Sequence, residues 1–165
     1  MTIDAVARDY DEQRNAPLGG YAALAAAFVA TAGAFTAAAR RRGTVLPDRV
    51  PPWDVLLLGA ASYKTARLFT KDKITGFVRA PFTRRKEDTT AGEVMDEPRG
   101  SGLRLAVGDL LSCPFCFSAW STGALVGWYA VSPRSARLAG AGFAAMTLAD
   151  WLQYAWTWTQ QAAED

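Results

Sequence analysis

Two cysteines, Cys113 and Cys116, have the residue type and spacing best suited to chemistry in this chain. They stand in Cys-Pro-Phe-Cys, and a helix beginning at Pro114 would place both thiols on one face, one turn apart. Such a pair can cycle between a dithiol and a disulfide. It can also bind zinc, although a structural zinc site needs four ligands and would therefore require a dimer. Small residues packing at a helix start are the third interpretation.

Other catalytic constellations are missing from the sequence. The chain has no histidine, which excludes Ser-His-Asp and Cys-His catalysis and every histidine-bearing metal site. We therefore expect no catalytic residues and no cofactor, with zinc only across a dimer. The formal net charge is +2, and we expect no nucleic-acid partner.

Asp150 is the one charged residue within an otherwise apolar stretch, 138–161. A charged group inside a membrane is costly and usually finds a partner. Lys64 or Arg67, which share a helix face in an earlier apolar segment, could supply it. We predict a structural ion pair rather than an ion pathway, because one carboxylate and one or two basic groups are too few for a transport mechanism.

Long apolar segments must position these residues. No charge occurs in 18–39 or in 110–133, and 138–161 contains only Asp150. Each segment has the length of a membrane-spanning helix, which needs about 20 residues. The first segment is rich in alanine, for which an ordinary soluble helix is the alternative. The aromatic cluster near the end of the chain is typical of a membrane interface.

A further helix, from Trp53 to about Thr70, is apolar but carries Asp54, Lys64 and Arg67. Basic side chains near its end could reach the interface, so this second helix is either a full crossing or re-entrant. The predicted fold is thus an all-α, polytopic membrane bundle of about four helices. A polar N-terminal segment, 1–17, precedes a single membrane domain, 18–165.

A polar loop at 71–109 interrupts this domain, and we expect 87–99 within it to be poorly ordered. The loop holds eight basic residues, which favours a cytoplasmic position. The Arg40-Arg41-Arg42 run after the first helix favours a cytoplasmic position for the loop that follows it as well. The two loops cannot both be cytoplasmic if the second helix between them crosses the membrane completely. We place 71–109 in the cytoplasm of a multi-pass protein of the bacterial cell membrane, next to anionic lipid headgroups.

Gly123 and Gly127 form a G-x-x-x-G pair in the third span. Two glycines four residues apart let another helix approach closely. Because the motif is short and frequent, we expect packing within the chain, and a homo-oligomer is the alternative.

Several short motifs, taken in order, resemble a bacterial domain-of-unknown-function family of small integral membrane proteins, some of them labelled sporulation proteins. These motifs are Tyr63-Lys-Thr-Ala-Arg67-Leu68, Asp72-Lys73-Ile74-Thr75, Arg79-Ala80-Pro81-Phe82, and Asp109-Leu-Leu-Ser-Cys113-Pro-Phe-Cys116 followed by Trp120. The resemblance covers roughly 53–131 and implies an integral membrane protein, but no reaction. The family usually has Trp or Tyr where Phe115 stands. The matching positions are Arg67, Asp72, Arg79, Pro81, Cys113, Cys116 and Trp120.

Three of these positions, Arg67, Asp72 and Arg79, lie at the end of the second helix and in the loop after it. We predict an electrostatic cluster there, with the Asp72 carboxylate pairing to one or both arginines.

The sequence favours a non-enzymatic membrane protein that acts through assembly or partner binding. One alternative is a membrane thiol redox or metal-binding protein that uses Cys113 and Cys116, and the reduction potential of the pair would separate it from the first. The other is a phage-type holin or pore former, which membrane depolarisation on expression would identify.

Overall fold

Helices make up most of the chain in the computed structural model, which describes Tyr10, residues 16–89 and residues 92–164. The predicted N-terminal segment 1–17 therefore lies mostly outside the described residues. The elements are helices α1 (Leu18–Arg41), α2 (Pro52–Thr70), α3 (Gly76–Arg79), α4 (Gly102–Ser112), α5 (Pro114–Val131) and α6 (Pro133–Glu164), a 3-10 turn (Lys73–Thr75), and strands β1 (Thr83–Asp88) and β2 (Val94–Pro98).

Helix α2 lies antiparallel to α5. Near the start of α2, Asp54 accepts a hydrogen bond from Tyr129, near the end of α5. Further along α2, Ser62 shares a 2.9 Å hydrogen bond with Ser121, nearer the start of α5. Since α2 is one unbroken helix, it runs from one end of the helix assembly to the other. Whether it crosses a membrane fully or is re-entrant stays a prediction.

Helix α6 follows α5 after Ser132 and lies parallel to α2. Arg137, in the second turn of α6, contacts Asp54, and Asp150 further along contacts Lys64. The buried contacts between these three helices involve Leu58, Ala61, Leu125, Tyr129 and Ala136, with Phe143 packed against them.

Helix α1 packs on the other side of α5 and lies parallel to it. Phe28 stacks edge-on against Trp120, with ring centroids 5.2 Å apart. Near its start, α1 also contacts α4, because the Tyr21 hydroxyl donates a 2.7 Å hydrogen bond to Asp109.

The chain between α2 and α5 folds into a small unit that we call the hairpin lobe, residues 71–112. Strands β1 and β2 pair antiparallel with Thr83 opposite Pro98, and the register shifts between Arg85 and Glu87. The prediction of an all-α fold is therefore wrong in this part of the chain. We call the end of the long helices that carries this unit the lobe end, and the opposite end the far end.

The expected disorder of 87–99 is also wrong for the residues that the structure describes there, since β2 and the last two residues of β1 are regular strands. The composition of this stretch is highly charged, but Val94 is fully buried. Gly108 of α4 approaches the hairpin so closely that a Cβ would lie 2.6 Å from the Phe82 carbonyl oxygen. The stretch is ordered because a few of its residues are buried by contacts with other parts of the chain. The local composition does not reveal such contacts.

The third apolar segment is divided by a sharp bend. Helices α4 and α5 meet at 85°, with the backbone of Cys113 extended between them. Pro114 has no N–H to continue the earlier helix, so a new helix begins there. Among the described helices, α1 is long and apolar enough to cross a membrane by itself. Helices α4 and α5 meet the same criteria of length and apolar composition only when they are counted together as this bent pair.

Candidate functional site

The hairpin lobe is joined to α2 through the buried side chain of Arg79. Its Nε donates a 2.7 Å hydrogen bond to Asp96 of β2. Its Nη1 donates to the Phe69 carbonyl and to the Thr75 hydroxyl, and its Nη2 donates to the Asp72 carbonyl. One fully buried guanidinium thus connects the end of α2, the 3-10 turn and the hairpin. Because the guanidinium is fully buried and joins these three segments, we interpret Arg79 as structural.

Arg67, in the last turn of α2, joins the same helix to the chain just before β2. Its Nε donates a 2.9 Å hydrogen bond to Glu93 Oε1, and its Nη2 donates to the same oxygen. The guanidinium also lies 5.7 Å from the centre of the Tyr63 ring, which is within the range of a cation–π contact.

The predicted pairing of the Asp72 carboxylate with arginine is wrong. Arg67 pairs with Glu93, and Arg79 pairs with Asp96. The reason lies in the backbone, because Asp72 forms an isolated antiparallel bridge with Glu93. That bridge brings the Glu93 side chain to Arg67.

Lys64 is the buried cation beside Asp72. Its side chain is only 8% exposed, and its Nζ lies 2.9 Å from Asp150 and 3.9 Å from Asp72. The structure therefore brings together Lys64 and Asp150, as the sequence suggested. Burial raises the pKa of the Asp72 carboxyl above its ordinary value. The positive charges of Lys64 and Arg67 oppose this rise, and the carboxylates of Glu93 and Asp150 add to it.

Lys64, Arg67 and Asp72 line one side of a cleft of about 1150 Å³, which is formed by the end of α2, the hairpin lobe and α6. The opposite side is built by α6, whose aromatic residues recur at helical spacing along it. Acidic, basic and aromatic side chains thus face a single space. The aromatic residues that line it are Tyr63, Trp151, Tyr154 and Trp158.

A second polar cluster, at the far end, was missed by sequence reasoning. Arg137 donates through Nε and Nη2 to the two oxygens of Asp54, and the Tyr129 hydroxyl donates to Asp54 at 2.5 Å. Asp54 and Arg137 both stand near the start of a helix whose first residue is a proline. These prolines were the sequence signal for the cluster. They predict a contact between Asp54 and Arg137 only if both helices are known to begin at the same end of the helix assembly.

The two cysteines lie at the lobe end. Cys113 is the N-cap residue of α5, and its sulfur accepts a 3.3 Å hydrogen bond from the Cys116 backbone N–H. Neither cysteine forms a disulfide. In the described part of the chain, no group of three or more potential ligands could hold a metal ion. Redox cycling and zinc shared across a dimer remain predictions.

Gly123 and Gly127 pack against α1. A Cβ at Gly123 would lie 3.1 Å from the Phe28 ring, and one at Gly127 would lie 3.6 Å from the Phe35 ring. The glycine pair is therefore used for packing within the chain. Trp120 completes this contact with Phe28.

Pro81, the remaining family position, contributes its carbonyl group to the hairpin lobe. It accepts hydrogen bonds from Nε and Nη2 of Arg104, at 3.1 and 2.7 Å. These bonds fix α4 against the turn that precedes β1.

Comparison with known proteins agrees with the resemblance seen in the motifs. A family model described as protein of unknown function (DUF1360) matches residues 57–156. Sporulation protein YjcA of Bacillus subtilis (strain 168) is 34% identical over 110 residues, which cover 60% of this chain and 93% of that protein. No solved structure matches the chain. The matched region contains the hairpin lobe and all the charged residues that line the cleft.

Proposed function

Because the chain belongs to this bacterial family of proteins of unknown function (DUF1360), we propose that it is a multi-pass protein of the cell membrane that presents the hairpin lobe to a partner. In this proposal α1, α2, α5 and α6 each cross the bilayer. The protein acts through assembly or partner binding rather than through catalysis.

The observation that carries the proposal is the distribution of polar and apolar side chains among the long helices. Polar groups lie between helices, as in the Asp54–Arg137 and Ser62–Ser121 contacts. Large apolar side chains point outwards instead, and Val29 in the middle of α1 is 69% exposed. Exposure of so large an apolar surface to water would be unfavourable, whereas the lipid of a bilayer would cover it. Other exposed apolar residues on these helices are Val55, Leu56, Val126, Leu138, Leu148 and Leu152.

Helix lengths support four crossings. Helices α1, α2 and α5 have 24, 19 and 18 residues, which correspond to about 36, 28 and 27 Å at 1.5 Å per residue. The hydrocarbon core of a bilayer is about 30 Å thick. Helix α6 has 32 residues, so its last turns extend beyond the core at the lobe end.

In the proposed topology the hairpin lobe lies on one side of the membrane and the 42–51 loop on the other, because α1 and α2 run in opposite directions. We assign the lobe to the cytoplasm because residues 71–109 contain eight basic residues. The far end has six: Arg40, Arg41, Arg42, Arg49, Arg134 and Arg137.

The lobe is suited to binding because its interior is held by ion pairs while its outer strand carries exposed charge. Arg84 and Lys86 of β1 are exposed, and Lys86 pairs only at the surface, with Glu97. Such exposed pairs contribute only about 0–1 kcal/mol, so a partner can replace them at little cost.

Membrane integration is tested by alkaline carbonate extraction of the native chain and of Val29→Arg. The native chain is expected to stay in the membrane pellet. Arginine at an outward position in the middle of a crossing costs about 2.5–3.5 kcal/mol on insertion scales, so Val29→Arg is expected to lower the integrated fraction strongly. Val45→Arg, at an 88% exposed loop position, is the matched control. Release of the native chain, or equal behaviour of the two variants, would exclude the proposal.

A further inference from the structure

We infer that the cleft between the hairpin lobe and α6 binds the headgroup of a zwitterionic aminophospholipid drawn from the surrounding leaflet. The ligand carries a phosphate and a primary ammonium group. This inference rests on the proposed membrane integration.

The position of the cleft favours a lipid over a soluble ligand. It is lined by the last turns of α2 and by the part of α6 that begins at Asp150, so it lies where the long helices meet the lobe. In the proposed orientation this is the level of the headgroups. Trp151 and Trp158, which are lining residues with large exposed surfaces, are the residue type that concentrates at that level.

Arg67 is the group suited to the phosphate. Its hydrogen bonds to Glu93 use Nε and Nη2 and go to one oxygen. Its Nη1 has no hydrogen-bond partner among the described residues. Since guanidinium groups bind phosphate through several N–H groups at once, Nη1 offers a further donor towards the cleft.

Asp72 is the group suited to the ammonium. Its closest ion contact within the described ranges is Lys64 at 3.9 Å, and Lys64 lies nearer to Asp150. The Asp72 side chain is 26% exposed, so a ligand can reach it. Burial and the neighbouring carboxylates raise the pKa of Asp72, while Lys64 and Arg67 oppose the rise. Lys64 is too far from Asp72 to donate a short hydrogen bond to it, and a primary ammonium in the cleft would add a positive charge and donate hydrogen bonds to this carboxylate.

The aromatic side of the cleft reinforces this assignment. Tyr154 and Trp158 line it from α6, and the faces of aromatic rings attract cations. A cleft whose lining holds three basic and three acidic side chains beside aromatic faces matches a phosphate linked to an amine better than it matches an anionic headgroup.

The test measures binding of lipids with identical acyl chains to the full chain in detergent, by native mass spectrometry and by the shift in melting temperature. Phosphatidylethanolamine is compared with phosphatidylglycerol, which lacks the amine, and with phosphatidylcholine, whose ammonium cannot donate hydrogen bonds. Soluble glycerophosphoethanolamine is included to separate a lipid from a free phosphate ester. We expect the strongest binding for phosphatidylethanolamine. The soluble ester should bind about tenfold more weakly, or more weakly still, because it lacks the acyl chains.

Asp72→Asn is expected to weaken phosphatidylethanolamine binding by about tenfold or more, as for loss of a hydrogen bond to a charged group. Glu97→Gln, an exposed carboxylate of the hairpin, is the matched control and should bind normally. If Asp72→Asn does not fold, Trp158→Ala takes its place in the test. This variant is expected to bind phosphatidylethanolamine about threefold more weakly than the native chain.

Equal binding of the three lipids, preference for phosphatidylglycerol, tight binding of the soluble ester, or unchanged binding by the folded Asp72→Asn would each overturn the inference. Retention in the carbonate pellet without a preference among lipids would remove this inference and leave the proposed function standing. Release from the membrane would remove both.

Discussion

Replacing Arg79 with methionine is expected to destabilise the protein by about 3–5 kcal/mol, the range for removing one partner of a buried ion pair. Arg79 is fully buried, and Asp96 is nearly so. Methionine fills a similar volume but leaves the Asp96 carboxylate without its cation and the carbonyls of Phe69 and Asp72 without this donor. The measurement is the melting temperature in detergent, which should fall by on the order of 10 °C.

Arg84→Met is the matched control, because it makes the same change at an exposed position on β1. Its melting temperature should stay close to that of the native chain. Limited proteolysis adds a local readout, since the hairpin of Arg79→Met should be cut faster. An Arg79→Met protein as stable as the control would show that the Arg79 contacts do not hold the lobe.

Replacing Lys64 with methionine is expected to cost about 3 kcal/mol. This is the lower part of the range for breaking a buried pair, because Asp150 keeps 35% of its side chain exposed. The loss leaves both Asp150 and Asp72 without their nearest cation. It is measured as the free energy of unfolding in detergent.

The double variant Lys64→Met, Asp150→Leu separates the ion pair from general damage to the helix contact. Removing both charges takes away the uncompensated carboxylate, so the double variant should recover part of the stability lost in Lys64→Met. Asp72 remains without Lys64, which is why recovery should be incomplete. A double variant less stable than Lys64→Met would contradict a direct interaction between Lys64 and Asp150.

Sequence reasoning works well where a feature depends on near neighbours or on composition. Pro114 predicts the start of α5 because proline tolerates the first helical position, and Cys113 accordingly occupies the N-cap. Asp150 predicts a cationic partner because a lone charge in an apolar helix needs one. The sequence left two candidates for this partner, Lys64 and Arg67, and the structure shows that it is Lys64.

The features that sequence reasoning misses depend on contacts between distant segments. The hairpin follows from the burial of Val94 and Arg79, although its own residues are mostly charged. Asp54 and Arg137 are 83 positions apart and meet only because α2 and α6 both begin at the far end. The partner of Asp72 was predicted wrongly because the bridge to Glu93 could not be foreseen from the polar composition of that loop.

The central claim, that α1 and α2 cross a membrane and leave the hairpin lobe inside, is tested most directly by thiol labelling of intact bacteria. The native chain reports the lobe end through Cys113 and Cys116. A variant with both replaced by serine and with Val45→Cys reports the 42–51 loop. An impermeant maleimide is expected to label the Val45→Cys variant and not the native chain, and both should react after permeabilisation. Labelling of the native chain with protection of Val45→Cys would reverse the orientation, and equal labelling of both in intact cells would contradict the crossings themselves.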